Sequence, residues 1–274
     1  MTASIDVASM VARVPEYLRP VRATGLVRLG DVLDGGYVLS EDALLAADCL
    51  VSMGVSTNWE FEKAFLAGRS ASGRRLLIHA YDHTVDAGQL RLFRLKQLAR
   101  YGLSRDPRYL RYWRMASGFP TFFDGRTATH FKQRVWRDDT QGSASIQTIM
   151  TRVPDAMQVF VKMDIEGAEY RVLADLAARS ERVVGLVIEF HDLDILRPAF
   201  ESLHERLAVD YEVSHVHVNN AGGLGPDGFP TILEITYEHK RLAGPKASQP
   251  ARYPLPGVDK PNCLELPDFE LQFV

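Results

Sequence analysis

The chain has 274 residues, 46% of them hydrophobic and 24% charged, proportions that exclude a disordered, fibrous or low-complexity protein and predict a sizeable buried core. Lys plus Arg number 32 against 35 Asp plus Glu, a formal charge of -3, so no polycation field spans the molecule. No nucleic-acid partner is expected, and Cys49 and Cys263, far apart and outside any CxxC or Cys/His cluster, argue against a disulfide framework or a structural zinc.

Residues 1–20 lack the basic start and apolar core of a secretion signal, being interrupted by Asp6, Arg13, Glu16 and Arg19. No later apolar run approaches the ~18 residues of a membrane span, so a cytoplasmic protein is expected, built as one elaborated α/β domain over 1–274. Met10, Val11, Val14 and Leu18 fall at helical spacing and predict a helix over 9–18, closed by Pro20. Residues 26–29, the turn-rich 31–36 with Asp34-Gly35-Gly36, and the run 37–39 predict a small hairpin. Short apolar runs at 49–53, 76–81, 159–163, 183–188 and 211–218 alternate with helical stretches at 60–66, 145–153, 170–179 and 195–207, the pattern of a parallel sheet covered on both faces. A run at 231–237 follows the Gly/Pro-rich 221–230, which has no room for a crossover helix, so the last two strands are expected to pair antiparallel. A weaker strand over 129–136 completes seven.

Residues 86–126 read as an insertion. Between Arg91 and Arg114 eight Lys and Arg accompany the single acid Asp106, with Phe93, Tyr101, Tyr109, Tyr112 and Trp113 interleaved. The segment has two readings. It is a basic, aromatic cap that holds an anionic or sugar-like acceptor or rests on a membrane surface, or it is a solvated helix pair that simply covers the sheet.

Ligands of open parallel sheets collect beyond the carboxyl ends of the strands. After the first run, Gly54 permits close backbone approach, and Ser56, Thr57 or Asn58 can cap the next helix. The turn is neither GxxxxGK[ST] nor GxGxxG, which argues against a pyrophosphate ligand. Asp82 ends the second run where an acid can accept ribose hydroxyls, or else caps the segment that follows. A nucleoside without phosphates, such as S-adenosylmethionine, suits that combination. In VFVKMDIEGAE, residues 159–169, alternation puts Phe160, Lys162 and Asp164 on one face. A lysine inside an apolar strand demands a carboxylate partner, and Asp164 and Glu166 stand at the strand's end beside Gly167.

The segment Lys162-Met163-Asp164-Ile165-Glu166-Gly167-Ala168-Glu169 resembles the signature of FkbM-type S-adenosylmethionine-dependent methyltransferases. The similarity extends to Asp34-Gly35-Gly36-Tyr37, to Ser52-Met53-Gly54-Val55 with Trp59-Glu60-Phe61-Glu62, and to Glu189-Phe190-His191, over roughly residues 28–240. Ser52 and Ser56 stand where the family more often has an acid and a small residue. The resemblance implies a Rossmann-like seven-stranded methyltransferase sheet, mostly parallel with one antiparallel strand. It also implies S-adenosylmethionine across the ends of the first, second and fourth strands, and methylation of a hydroxyl on a small-molecule or sugar acceptor. Gly54, Ser56 and Asp82 match cofactor positions, with Asn58, Glu62 and Asp164 as further candidates in the same crevice.

Methyl transfer requires an aligned acceptor and a base for its proton. His191, two residues beyond Glu189, is the first candidate base and Asp164 the second, with Glu189 completing the catalytic set. Glu166, His217, Asn219 and Asn220 are candidate acceptor contacts; His215, His217 and Asn219 share one strand face. A divalent metal on Asp164, Glu189, His191 and His217 is the less favoured addition, because the reversed strand should separate the fifth and sixth strands by ~10 Å. The alternatives are a metal-dependent glycosyltransferase using Asp192-Leu193-Asp194 and a noncatalytic anion-binding protein using the Arg-rich segment. Asn219-Asn220-Ala221-Gly222 matches short-chain dehydrogenases, but without their glycine-rich turn or YxxxK pair.

Overall fold

A computed structural model describes residues 11–21, 25–32, 34–242 and 252–274. The segment expected to be a helix over 9–18 is strand β1 (Val11–Val14) followed by one 3-10 turn; residues 9 and 10 lie outside the described residues. Ala12 and Val14 alternate into the core, and Pro15 lacks the amide that a helix continuing to Leu18 would need. The expected hairpin is present as β2 (Leu26–Gly30) and β3 (Gly36–Ser40). Ser40 Oγ accepts from Ala43 N at 3.0 Å and starts α1 (Glu41–Ala46), a helix the sequence reading did not expect.

The first half of the main sheet is β4 (Cys49–Met53), α2 (Glu60–Ser70) and β5 (Leu77–Tyr81). The insertion follows as α3 (Ala87–Ser104) and α4 (Pro107–Phe122), capped by Asp86 and Asp106 respectively. The weak strand expected over 129–136 is shorter: β6 (Ala128–Phe131) joins the sheet, a tight turn closes with Gln133 N donating to Phe131 O at 2.7 Å, and β7 (Arg134–Val135) pairs instead with β8 (Ser143–Ala144). Next come α5 (Ile146–Thr151), β9 (Val159–Met163), α6 (Glu169–Ala177), β10 (Val183–Phe190), α7 (Leu193–Leu207), β11 (Tyr211–Val218) and β12 (Leu233–His239). The chain ends in β13 (Glu270–Phe273), which pairs in parallel with β1.

The seven strands run β11-β12-β10-β9-β4-β5-β6, with β12 antiparallel to both neighbours and every other pair parallel. This is the Rossmann-like methyltransferase sheet, and the strand order reverses between β4 and β9. Alternation along β9 sends Val159, Val161 and Met163 into one core and Phe160 into the other beneath Phe65. Lys162 falls on the Phe160 face and lies 5.5 Å from the Tyr37 ring centroid. The α3–α4 pair is anchored through buried Trp59, whose ring meets Phe119 and Phe123 edge-on at 5.1 and 6.1 Å. Among the described residues no helix is long and apolar enough to cross a membrane.

Candidate active site

At the reversal point Gly54 closes β4 with φ +78°, and a Cβ there would stand 1.6 Å from Asp164 O, so only glycine lets the two strand ends approach. Asp164 N donates to Met53 O and Gly54 N to Tyr81 O, each at 3.0 Å, which ties the ends of β4, β5 and β9 together. Lys162 Nζ donates to Gly54 O and lies 3.2 Å from Asp164 Oδ2. Burial opposes its charge, but Asp164 and Glu62 outweigh burial and raise its pKa, so the lysine remains cationic.

A cleft of about 880 Å³ opens over these ends, within the range of small-ligand sites. One wall is the 54–58 loop. The Asp82 carboxylate braces it: Oδ2 accepts from Val55 N at 3.0 Å and Ser56 N at 2.6 Å, and Oδ1 accepts from Thr84 N at 2.7 Å and Thr84 Oγ1 at 2.6 Å. Four bonds fill the four acceptor positions of a carboxylate. Asp82 thus belongs to the cleft as the brace of its loop, with no acceptor left over for the ribose contact expected of it. Burial alone would raise its pKa; those hydrogen bonds hold it below the usual carboxylate value. Asn58 joins this loop to the hairpin, receiving Glu60 N on Oδ1 at 3.2 Å and donating to Asp34 O at 3.4 Å. Glu62 is buried on the same wall; Oε1 accepts from Ser52 Oγ, while Oε2 has no partner. Burial pushes its carboxyl up.

The opposite wall is the 164–168 loop with Trp136. Arg134 and Arg171 lie 4.5 and 4.9 Å from the Trp136 ring centroid, and all three line the cleft. Ser56, Glu166 and Asp192 adopt left-handed backbone, with φ of +50°, +55° and +52°; three of the four such non-glycine residues among those described therefore stand on this cleft. That conformation strains an L-residue and concentrates here.

Behind Asp164 lies a polar row. Tyr37 OH stands 3.0 Å from both Asp164 Oδ2 and Glu189 Oε2, and Asn219 Nδ2 donates to Glu189 Oε1 at 2.8 Å. One phenolic proton cannot serve two carboxylates. Burial, then the charges of Asp164 and Glu234, raise the Glu189 pKa, while the neighbouring His191 opposes that rise. His191 Nδ1 donates to buried Glu169 Oε1 at 3.2 Å, which directs Nε2 toward Glu166 Oε2 at 3.6 Å, Glu189 Oε1 at 3.7 Å and Asp164 Oδ1 at 3.9 Å. Burial works against the imidazolium, but the Glu169 hydrogen bond and the surrounding carboxylates win and hold its pKa above the ordinary value. His191 is not on the cleft wall; it meets the cleft through Asp164 and Glu166. One ligand atom each from Asp164, Glu166 and His191 fall within 4.8 Å of one another, the one such triad among the described residues.

Two expected acceptor contacts are corrected. His217 is buried with Nδ1 3.3 Å from Glu234 Oε2 and Nε2 3.2 Å from Asp268 Oδ2, since β12 brings Glu234 opposite it in register. The metal set that included His217 therefore does not converge, and Glu166 takes its place in the triad. Asn220 is equally committed: Nδ2 donates to Cys263 O at 2.9 Å and Leu266 O at 3.0 Å, and Oδ1 accepts from Cys263 N at 2.8 Å. Both residues pin the C-terminal arm. Tyr37, Arg134, Trp136 and Arg171 were missed; for Tyr37 the signal was its place after the glycine turn.

No family model matches this chain, and no curated protein matches it. Among solved structures it is similar to the precorrin-6y C5,15-methyltransferase of Geobacter metallireducens GS-15, at 15% identity over 81% of this chain and 100% of that one, with a TM-score of 0.34. It is also similar to a candidate RNA methyltransferase of Pyrococcus horikoshii, at 11% identity over 71% and 76% of the two chains, with a TM-score of 0.32. Scores this low carry no argument, and the fold assignment rests on the strand order.

Proposed function

We propose that the chain is an S-adenosylmethionine-dependent O-methyltransferase acting on a hydroxyl of a small-molecule or sugar acceptor, as its resemblance to the FkbM family implies. The observation that carries this reading is the acid-rich cleft at the strand-order reversal, with the unpartnered, buried Glu62 Oε2 on its wall. Asp34, Glu62, Asp82, Asp164, Glu166 and Asp192 line it against Lys162, Arg134 and Arg171, a balance suited to a cationic nucleoside. When bound, S-adenosylmethionine supplies an electrophilic methyl group. The 54–58 loop and Glu62 bind the cofactor, Asp164 orients its cationic end, and His191, aimed by Glu169, receives the acceptor proton at Nε2 by way of Asp164 or Glu166, through which it meets the cleft.

Asp164, Glu166 and His191 are also the residues that would hold a divalent cation. The carboxylates around His191 favour a proton on the nitrogen a metal would need, so a cation there would compete with that proton. The test is a melting series: S-adenosylmethionine and S-adenosylhomocysteine are expected to raise the Tm. A rise with nucleotide sugar plus manganese instead would replace this reading with the glycosyltransferase one.

A further inference from the structure

The outer face of α3 inverts the usual pattern of a surface helix. Leu92, Leu95, Leu98 and Leu103 are 55%, 60%, 42% and 89% exposed, and at the helical repeat they occupy one arc of about 140°. Lys96 and Arg100 border that arc on one side and Arg94 on the other, while Arg91 falls inside it near the Leu98 edge, at the N-terminal end of the leucine row. Arg91, Lys96, Arg100, Arg105 and Arg114 have no carboxylate partner among the described residues. The α3–α4 pair with its two-residue connection holds eight Lys and Arg and one acid, a net charge of +7 on a chain whose total is -3.

We propose that this face docks on an anionic lipid bilayer, with α3 lying in the interface, the leucines among the acyl chains and the cations at headgroup level. Charge complementarity selects this occupant. A second copy would set +7 against +7, and a nucleic-acid backbone would leave the leucine arc in water. A groove of about 310 Å³ adjoins that arc on its Lys96 side. It is lined by Leu90, Leu92, Phe93 and Lys96 and by Thr57 and Thr84, which also line the large cleft. An amphiphilic acceptor drawn from the membrane has an apolar path there; that consequence rests on the proposed activity, whereas docking does not.

Cosedimentation of the cofactor-free protein with vesicles tests docking apart from catalysis. Phosphatidylglycerol-rich vesicles should bind it, pure phosphatidylcholine vesicles should not, and salt should weaken binding. Replacing Leu92, Leu95 and Leu98 together by Gln keeps the charge and should weaken binding at least about tenfold with an unchanged melting curve, because the removed side chains are exposed. Lys96→Glu with Arg100→Glu should have the same effect. Absence of vesicle binding, undiminished binding by the leucine variant, tighter binding to duplex DNA than to vesicles, or a solution dimer that the leucine variant dissolves would each overturn the proposal.

Discussion

His191 stands among four carboxylates, and one of them, Glu169, fixes which nitrogen faces the cleft side. Its base form is the neutral ring, and its pKa is raised, so turnover should climb with pH through a limb above the ordinary imidazole value near 6.5. A limb at or below that value would contradict the assignment. His191→Gln should lower kcat by about a hundredfold or more while cofactor affinity changes little. Asp82 makes a different prediction. Because it braces the 54–58 loop, Asp82→Asn should lower the Tm of the cofactor-free protein, by about 2 kcal/mol of stability, as well as weaken cofactor binding. A residue acting only on the ribose would leave the cofactor-free Tm unchanged. Lys162 and Asp164 were legible because a buried lysine must be paired. Tyr37 and Trp136 were not, since an aromatic residue in a sequence shows its bulk but not which wall it faces.

At the scale of elements, the six stronger strand runs were readable because each is a short apolar stretch bounded by turn residues. The N-terminal segment was misread because Met10, Val11, Val14 and Leu18 fit a helix and a short strand with a turn equally well. What decides between them is pairing with β13, about 260 residues away in sequence, which no local pattern reports. The shared register of Glu189, Glu234 and His217 across β10, β12 and β11 is likewise a product of topology, and it removed His217 from the expected site. The joint between β4 and β9 is closed at Gly54. Gly54→Ala forces a Cβ against Asp164 O and should cost about 3 kcal/mol or more and abolish cofactor binding; a normal melting curve would show that the strand ends can separate freely.

For the molecule as a whole, the C-terminal arm is latched by buried polar contacts, His217 to Asp268 and Asn220 to the arm backbone. Burial opposes charge on His217, yet its hydrogen bonds to Asp268 and Glu234 raise the pKa to about 10. A raised folded pKa contributes stability that is complete below about 6.5 and is lost as pH climbs through about 10. Chemical denaturation at pH 7 and pH 10 should therefore show wild type losing about 3 kcal/mol or more beyond the loss of His217→Gln; equal losses would mean the latch does not titrate. A sulfonium nucleoside is expected to bind in the cleft at the strand-order reversal. A crystal soaked with S-adenosylhomocysteine measures it most directly: density should lie between the 54–58 loop and the 164–168 loop, with Glu62 at hydrogen-bond distance and the sulfur directed to Asp164. Density elsewhere, or an empty cleft at saturating ligand, would contradict the account.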